Sequence, residues 1–417
     1  MPIFNSFKYV ANSGEKNFAL ASDKSSTVNL YHNASYQSLK GLSEYPVTDS
    51  LHIENICDSG EGIFVVDYYK YVNNETKYYL AIYDISEDKL LVNKEVGFNI
   101  DTLAMAGGKI LTVDNQKVWR ILDYSGEILE EFEIADKLRE EAKTLGVTYY
   151  NDNIQAWFAY KDSVVVCTSC EIFSVDMSVS PVEMHYIYYT NGNSWMSDFD
   201  MSGGFVTFVM DESDGDKLAY FKDGDRELSY VKENGEDKVF AENAISSVVN
   251  TSMGEKIAFI SKEGYIGVYT YGDENITKIH YPIESVSPEL IKFTPDGNSI
   301  IAMCSGGKFI RYDLRTLNVA GEYKIDNMSY STSFFFIDDT SFIINKGSSI
   351  YGNAEVIDID AMKKVAEIEE GIVYFLQSDK KILVEVYTDD YKRTLKYFDY
   401  LSADKIIERA RAMVEEK

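Results

Sequence analysis

The sequence predicts an all-β protein built from a repeated unit of four strands, which is the architecture of a β-propeller. Three observations predict it: the chain is rich in strand-forming aromatic residues, a tight turn joins alternating segments, and one short strand motif recurs throughout. Of its 417 residues, 32 are tyrosine and 22 are phenylalanine. Both residue types favour strands over helices, so the composition already points to sheets.

The clearest copy of the repeated unit runs from Ile291 to Met303 and continues from Lys308 to Thr316. Its turn is Pro295-Asp296-Gly297, in which proline presets φ, aspartate accepts backbone hydrogen bonds and glycine supplies a positive φ. On both sides of this turn apolar and polar residues alternate with a period of two, as they do in strands. The segment therefore predicts two strands joined by a tight turn, followed by a third strand.

The third-strand step combines apolar and aromatic residues, in most copies with an aspartate near its end. Its other copies are Ala81–Ile85, Trp119–Tyr124, Ile172–Asp176, Leu218–Lys222, Ile266–Thr270, Glu355–Ile359 and Leu395–Asp399, with a first unit near Val28–His32. Neighbouring copies lie roughly 38 to 53 residues apart, a range that brackets the roughly 40 to 50 residues of a four-stranded propeller blade.

Counting these steps predicts a single propeller of about eight four-stranded blades over residues 1–401, with seven or nine also open. The last unit lacks an obvious fourth strand, because Tyr400 leads directly into a predicted helix. Propellers close by protecting the edges of their sheets. The N-terminal stretch Phe7–Val10 is therefore predicted to supply the missing strand.

The best repeat resembles the WD40-like propeller families. The resemblance rests on the turn from Phe293 to Ile300, followed by the segment from Ile310 to Thr316. It covers most of the chain by spacing and residues 285–325 by residue type. Tyr312-Asp313 stands where a Trp-Asp dipeptide is typical of true WD40 repeats, so no subfamily is implied. The resemblance implies a WD40-like β-propeller.

Two segments depart from the strand pattern. Residues 135–146 predict a short helical insertion that ends at Gly146. Residues 402–417 predict a C-terminal α-helix with Ser402 as its N-cap. An amphipathic helix must bury its apolar face somewhere, so this face is a candidate for partner binding. It consists of Ile406, Ile407, Ala410, Met413 and Val414. Similar helical tails follow propellers in some bacterial multidomain ATPase and signalling proteins.

Net charge restricts the class of partner. The chain carries 68 acidic and 40 basic residues, a formal charge of −28. Such a surface repels phosphate backbones and anionic lipids, so neither nucleic acid nor membrane is expected as a partner. A protein partner with a basic face is compatible with this acidic surface. The alternative interpretation, that the acidity merely maintains solubility, is equally well supported. The residues from Met1 to Ser6 have no signal-peptide character, so the cytoplasm is the expected location.

Motifs that could carry chemistry are weak. Cys167 and Cys170 form a C-x-x-C that follows an apolar strand, and the other cysteines, Cys57 and Cys304, are isolated. Buried thiols are favoured over a zinc or redox site. The acidic run Asp211–Asp216 has its glycine one position too early for a calcium loop, so a solvated turn is favoured. No catalytic, metal or cofactor residues are predicted, and the protein is not expected to be an enzyme.

Aromatic residues form one further cluster that could contact a partner, because tyrosine and tryptophan are favoured at binding hot spots. Packing between blades is the alternative. We predict Trp195 and Tyr188 as partner-binding residues of a protein–protein interaction scaffold. A propeller enzyme or a carbohydrate- or small-molecule-binding protein with a site in the central channel is the main alternative, and a structural subunit of a larger assembly is another. The full cluster is Tyr186, Tyr188, Tyr189, Trp195, Phe199, Phe205 and Phe208.

Overall fold

The computed structural model of this chain divides into two compact units. One unit comprises Met1–Phe98 together with Ile325–Lys417, and the other comprises Asn99–Lys324. The structure describes residues 10–13, 16–18, 28–29 and 37–38, and then residues 51–399 except for short stretches. Those stretches are 60–61, 85, 88, 147–153, 190–194, 203–204, 213–214, 224–227, 231, 234–235, 238–239, 242–244, 251–255, 262, 271–274, 282–286, 327–331, 347–353, 369–371, 377–380 and 388–392.

The first unit begins with four short strands and one long antiparallel sheet. The short strands are β1 (Val10–Ser13), β2 (Lys16–Phe18), β3 (Val28–Asn29) and β4 (Gln37–Ser38). The sheet consists of β5 (Leu51–Asp58), β6 (Ile63–Val72), β7 (Glu75–Asp84) and β8 (Lys89–Val96), hydrogen-bonded in chain order.

In the residues that the structure describes, the second unit contains five antiparallel sheets of four or five strands, the helix α1 (Ile134–Leu145) and a short 3₁₀ helix (Ser305–Gly307). The first two sheets are β9 (Ile100–Ala106), β10 (Lys109–Asp114), β11 (Val118–Leu122) and β12 (Ile128–Glu133), and then β13 (Ile154–Tyr160), β14 (Ser163–Thr168), β15 (Glu171–Asp176) and β16 (Glu183–Tyr189). The third consists of β17 (Trp195–Ser202), β18 (Phe205–Glu212), β19 (Gly215–Asp223) and β20 (Leu228–Tyr230).

Short strands follow, and two further sheets complete the second unit. The short strands are β21 (Lys232–Glu233), which pairs with β22 (Glu236–Asp237), and β23 (Phe240–Ala241), which pairs with β19. The fourth sheet is β24 (Ile245–Asn250), β25 (Lys256–Ser261), β26 (Tyr265–Thr270) and β27 (Thr277–His280). The fifth is β28 (Pro288–Phe293), β29 (Ser299–Cys304), β30 (Lys308–Asp313) and β31 (Asn318–Lys324).

Two sheets near the C-terminus belong to the first unit, and each recruits a strand from the N-terminal segment. The strands are β32 (Ser333–Phe336), β33 (Ser341–Asn345), β34 (Ala354–Asp358) and β35 (Lys363–Ile368), and then β36 (Ile372–Leu376), β37 (Lys381–Tyr387) and β38 (Arg393–Asp399). Strand β3 pairs in parallel with β35, and β4 pairs antiparallel with β38. The described residues thus form eight sheets of four or five strands.

Two strand predictions were wrong. The fourth strand beside β38 is β4, not Phe7–Val10; within that stretch Val10 instead pairs with Phe18 in the β1–β2 hairpin. Val28 and Asn29 are the parallel fifth strand of a remote sheet, not a third-strand step. The physical reason is the same in both cases. A strand of only two residues at the edge of a sheet needs little hydrophobic pattern. Several neighbouring segments of the chain could therefore occupy that edge position, and the sequence does not distinguish them.

The recurring aspartate of the third-strand step has a structural role at the end of that strand. Its Oδ1 accepts backbone N–H groups of the turn into the outer strand, an arrangement typical of aspartate in turns. The turn amides so bound belong to Ser86 and Glu87 (by Asp84), Ser125 and Glu127 (by Asp123), Ser178 (by Asp176), Arg315 and Thr316 (by Asp313) and Ala361 (by Asp358). The same kind of local hydrogen bond, made by five different aspartates, thus closes five turns.

Helix α1 lies where the sequence predicts a helical insertion, and it ends at Gly146 with a φ of 72°. Side chains join it to the outer strands of two neighbouring sheets. The Lys137 ammonium pairs with Glu130 and donates to the carbonyl of Val182 at 3.0 Å. Glu130 and Glu141 accept the backbone N–H groups of Val182 and Tyr186, at 2.8 and 3.2 Å. No helix in the described part of the chain is long and apolar enough to cross a membrane.

Candidate functional site

The predicted partner-binding residues differ in their location and in their exposure to solvent. The helix face formed by Ile406, Ile407, Ala410, Met413 and Val414 lies outside the described residues. Tyr188 lies in β16 with its ring partly buried, 5.8 Å from the ring of Phe208. Trp195 begins β17, and 56% of it is exposed. The structure therefore presents Trp195 to solvent and packs Tyr188 largely against its neighbours.

Three of the seven predicted aromatic residues, Tyr188, Phe199 and Phe208, belong to the core between the β13–β16 and β17–β20 sheets. Phe208 is fully buried there, and Phe199 stacks on it with ring centroids 5.9 Å apart. Tyr186 packs in a different place, against the core that the β9–β12 and β13–β16 sheets share, and its hydroxyl donates to Glu171 at 3.3 Å. An irregularity in β16 explains this division: Ile172 pairs with Tyr188 and Phe173 with Tyr186, so the extra residue Ile187 interrupts the alternation and the two tyrosines face different cores.

Trp195 is held on a fixed backbone. The N–H of the next residue, Met196, donates to the carbonyl of Ser169 at 2.7 Å, which joins the start of β17 to the β14–β15 turn of the neighbouring sheet. That turn is closed in its own right, because Thr168 Oγ1 accepts the N–H of Glu171 at 2.9 Å. The Met196 side chain is buried, 1% exposed. An exposed indole on a buried, hydrogen-bonded support has little conformational freedom to lose on binding.

The C-x-x-C pair lies in the same turn. Cys167 and Cys170 are both buried, and burial raises the pKa of the Cys167 thiol well above its usual value. A protonated, inaccessible thiol is a poor nucleophile and a poor metal ligand. Within the described ranges no three His, Cys, Asp or Glu side chains cluster as metal ligands do. These thiols therefore serve as core side chains in this structure.

Sequence reasoning missed a second aromatic surface, the β6–β7 hairpin, which we call the tyrosine hairpin (Tyr68–Tyr79). Its two-residue turn is Asn73-Asn74, with φ values of 54° and 67°. Two consecutive positive φ angles define a type I′ turn, which asparagine tolerates better than most residues do. The signal was in the sequence: tyrosine doublets at equal distances on either side of Asn-Asn, together with Tyr71.

One face of the tyrosine hairpin is packed. Tyr68 is fully buried, donates its hydroxyl to Asn93 at 2.8 Å and stacks on Tyr79 with centroids 5.2 Å apart. The Lys70 ammonium lies 5.4 and 5.2 Å from the centroids of these two rings. Partial burial lowers the pKa of Lys70. This face therefore fixes the hairpin on its sheet.

The opposite face carries the rings of Tyr69, Tyr71 and Tyr78, which we call the tyrosine face. Tyr69 and Tyr71 meet edge to face, with centroids 5.6 Å apart, and Tyr69 and Tyr78 lie 6.2 Å apart. Tyr71 is 48% exposed. The three rings form a continuous aromatic surface on a two-stranded ribbon.

Charged residues also occur on the first strands of the sheets in the second unit. Lys292 lies in β28, and burial lowers its pKa, while the negative charge of Asp200 in β17 acts in the opposite direction. Both strands contact β24. A partly desolvated ammonium near a carboxylate is a feature that ligand sites share with structural ion pairs.

Comparisons with known proteins identify the fold. No protein-family model and no curated protein matches the sequence. Among solved structures, Chaetomium thermophilum Sqt1 bound to the N-terminus of ribosomal protein L10 is 13% identical, with a TM-score of 0.57 over 84% of this chain and 97% of that chain. Kluyveromyces lactis Hsv2 is 12% identical, with a TM-score of 0.51 over 84% and 99%.

A third similar structure is an enzyme, the dihydro-heme d1 dehydrogenase NirN. It is 13% identical, with a TM-score of 0.52 over 81% of this chain and 70% of that chain. Sqt1 and Hsv2 are WD40 β-propeller proteins. The predicted WD40-like propeller agrees with these neighbours and with the mostly β, four-stranded antiparallel sheets described above. At these identities the likeness concerns the fold alone, and the number of blades stays a prediction.

Proposed function

We propose that this protein is a non-enzymatic, cytoplasmic scaffold that binds a protein partner. The observation that carries the proposal is Trp195, 56% exposed beside the buried Met196. Tryptophan is the residue type most enriched at binding hot spots, where a large ring on a rigid support buries much area at small entropic cost.

Two further facts support a protein as the partner. The formal charge of −28 disfavours nucleic acid and anionic lipid surfaces. Sqt1, which has a similar fold, is described in complex with the N-terminus of a ribosomal protein. The partner of this chain is not inferred from that complex, but the fold is suited to holding a protein segment.

The experiment compares what co-purifies with the tagged full-length chain and with two matched variants. Trp195→Ala removes the proposed hot spot, and Ile128→Ala removes an apolar side chain of similar exposure, 48%, in the same unit. We expect a specific protein to be recovered with the wild type and with Ile128→Ala, and recovery to fall about tenfold or more with Trp195→Ala. Equal recovery with all three would remove Trp195 from the interface.

A version cut after Leu401 tests the C-terminal α-helix as a separate docking element. If the partner appears only with the full-length chain, residues 402–417 contribute to binding. If no protein is recovered with either version and both are equally stable, the scaffold proposal fails. Cell fractionation tests the cytoplasmic location directly.

A ligand-binding or enzymatic propeller is the second candidate. The feature that favours it is Lys292, whose pKa is lowered by burial near Asp200. A panel of small metabolites and sugars in a thermal-unfolding assay tests it, since a ligand that binds only the folded state raises Tm. A Tm increase that Lys292→Met abolishes would favour this candidate over the scaffold.

A further inference from the structure

We propose that the tyrosine face (Tyr69, Tyr71 and Tyr78) binds an extended, lysine- and arginine-rich segment of a protein partner. This surface belongs to the first unit, whereas Trp195 belongs to the second, so the inference does not depend on the Trp195 interface. It rests on three properties of the hairpin: its rigidity, the distribution of charge over its two faces, and the rings themselves.

The rings are fixed before any partner arrives. The ladder between β6 and β7 is continuous from Ile63↔Asp84 to Val72↔Glu75, and the Asn73-Asn74 turn closes it. The buried, hydrogen-bonded Tyr68 anchors the reverse side. Tyrosine side chains held in this way lose little freedom when they bind, which is why such residues dominate recognition surfaces.

Charge is divided between the two faces of the hairpin. Lys70 and Lys77 oppose each other in the ladder and therefore share one face, and there Lys77 pairs with Glu95 at 3.1 Å. The cross-strand partners of the tyrosine face are Thr76 opposite Tyr71, Val96 opposite Tyr78 and His52 opposite Tyr69. No lysine or arginine pairs directly with the three tyrosines, and Lys94, opposite Leu80, is the next basic residue on this side.

The surroundings favour a cation and disfavour an anion. Residues 51–96, which form the β5–β8 sheet, include nine acidic and four basic residues, and the whole chain has a formal charge of −28. A Lys or Arg side chain approaching the tyrosine face is attracted by the negative field and by the face of each ring. The same field opposes phosphate-rich partners.

The hairpin already contains one example of the contact. The Lys70 ammonium lies 5.4 and 5.2 Å from the ring centroids of Tyr68 and Tyr79 on the packed face. A cation within about 6 Å of a ring centroid is in the range of a cation–π interaction. Neighbouring tyrosines on this ribbon thus have a spacing that one ammonium can bridge. On the tyrosine face the ring centroids lie 5.6 and 6.2 Å apart, with the rings edge to face or tilted rather than stacked.

The test uses the full chain and fluorescence anisotropy of a fluorescein-labelled peptide of alternating lysine and glycine. Tyr71→Lys places a like charge on the tyrosine face, and Val319→Lys makes the same change in net charge at a residue of similar exposure, 51%, in the second unit. We expect Tyr71→Lys to weaken binding about fivefold or more and Val319→Lys to change it less than about twofold. Tyr71→Phe keeps the ring and should bind as the wild type does.

Three outcomes would overturn the proposal: no binding of the lysine peptide, equal weakening by Tyr71→Lys and Val319→Lys, or equally tight binding of a matched peptide of glutamate and glycine. Circular dichroism of each variant checks that the fold is retained. Because Trp195 is unchanged throughout, a negative result here leaves the Trp195 interface intact, and the co-purification experiment can fail without affecting this one.

Discussion

The Arg120 guanidinium lies 2.7 Å from Asp114 Oδ2 across the β10–β11 hairpin, with 11% and 3% of the two side chains exposed. Asp114 Oδ1 also accepts the N–H groups of Gln116 and Val118, so one carboxylate closes the turn and pairs with the arginine. Burial alone would raise the pKa of Asp114, but these hydrogen bonds, that of Arg120 foremost, hold it below its usual value.

Replacing the arginine should therefore destabilise the second unit. In Arg120→Met the buried Asp114 carboxylate loses its charged partner, and we expect the free energy of unfolding to fall by about 2 kcal/mol. Urea titration measures it. Arg139→Met is the matched control, because Arg139 and its partner Asp136 are exposed and 3.5 Å apart, and exposed pairs contribute about 0–1 kcal/mol. Equal losses in both variants would show that the Arg120–Asp114 pair has no special weight.

The turn aspartates predict how stability depends on pH. The hydrogen bond from the amide of Thr316 holds the pKa of Asp313 below its usual value, and that from the Ser86 side chain does so for Asp84. Because the folded pKa lies below the unfolded one, the ionised turns stabilise the protein above about pH 4 and this contribution is lost as pH falls through the folded pKa. Urea midpoints of the wild type and Asp313→Asn should differ near neutral pH and converge as pH falls below the folded pKa. A gap that stays constant would show that the carboxylate charge is not what closes the turn.

A glycine in β26 predicts a severe packing mutation. A Cβ built on Gly267 would lie 2.2 Å from Cζ of Phe259, whose ring is fully buried. Gly267→Ala forces that ring out of its place, and we expect a loss of about 2–3 kcal/mol, measured as a lower urea midpoint. Gly97→Ala is the matched control, because no atom lies within 4 Å of a Cβ built there. If both variants unfold at the same urea concentration, the ring is free to move and the explanation is wrong.

The thiols should differ in reactivity. Cys167, Cys170 and Cys304 are buried, whereas Cys57 is partly exposed. Burial raises the pKa of Cys304 to about 12, so little thiolate forms at neutral pH. We expect Ellman's reagent to label mainly Cys57 in the folded protein and all four thiols in guanidinium. Cys57→Ser should abolish the early labelling, and rapid labelling that survives this change would mean that one of the other three is accessible.

Local interactions made part of this fold predictable. The Pro295-Asp296-Gly297 turn closes as expected, because Gly297 takes a φ of 66° and Asp296 accepts the N–H of Asn298 at 3.1 Å. Helix α1 and its Gly146 end follow from signals within twelve residues. The strands that pair with β35 and β38 could not be predicted from local signals. Their pairing with β3 and β4 joins residues more than 300 positions apart in the chain.

The candidate surfaces show the same division. Tyr188 and Trp195 are both aromatic and lie close together in sequence, yet one packs beside Phe208 and the other is exposed. Only the registers of β16 and β17 separate them, and a one-residue change in register would exchange a strand's faces. The tyrosine hairpin was different. Its mirrored doublets around Asn-Asn are visible in the sequence, but no hairpin was predicted there, and the type I′ turn is a finding of the structure.

The contacts of helix α1 bear on how this chain behaves at high concentration. The outer strand of a sheet offers its backbone N–H groups as a template on which a strand of another molecule can polymerise. On β16 and the residues just before it, the Val182 and Tyr186 amides are already bound to the carboxylates of Glu130 and Glu141. An incoming strand would have to displace two negative charges and the helix that holds one of them. The helical insertion therefore hinders the addition of a strand from another molecule at the β16 edge, which is the first step of fibril growth.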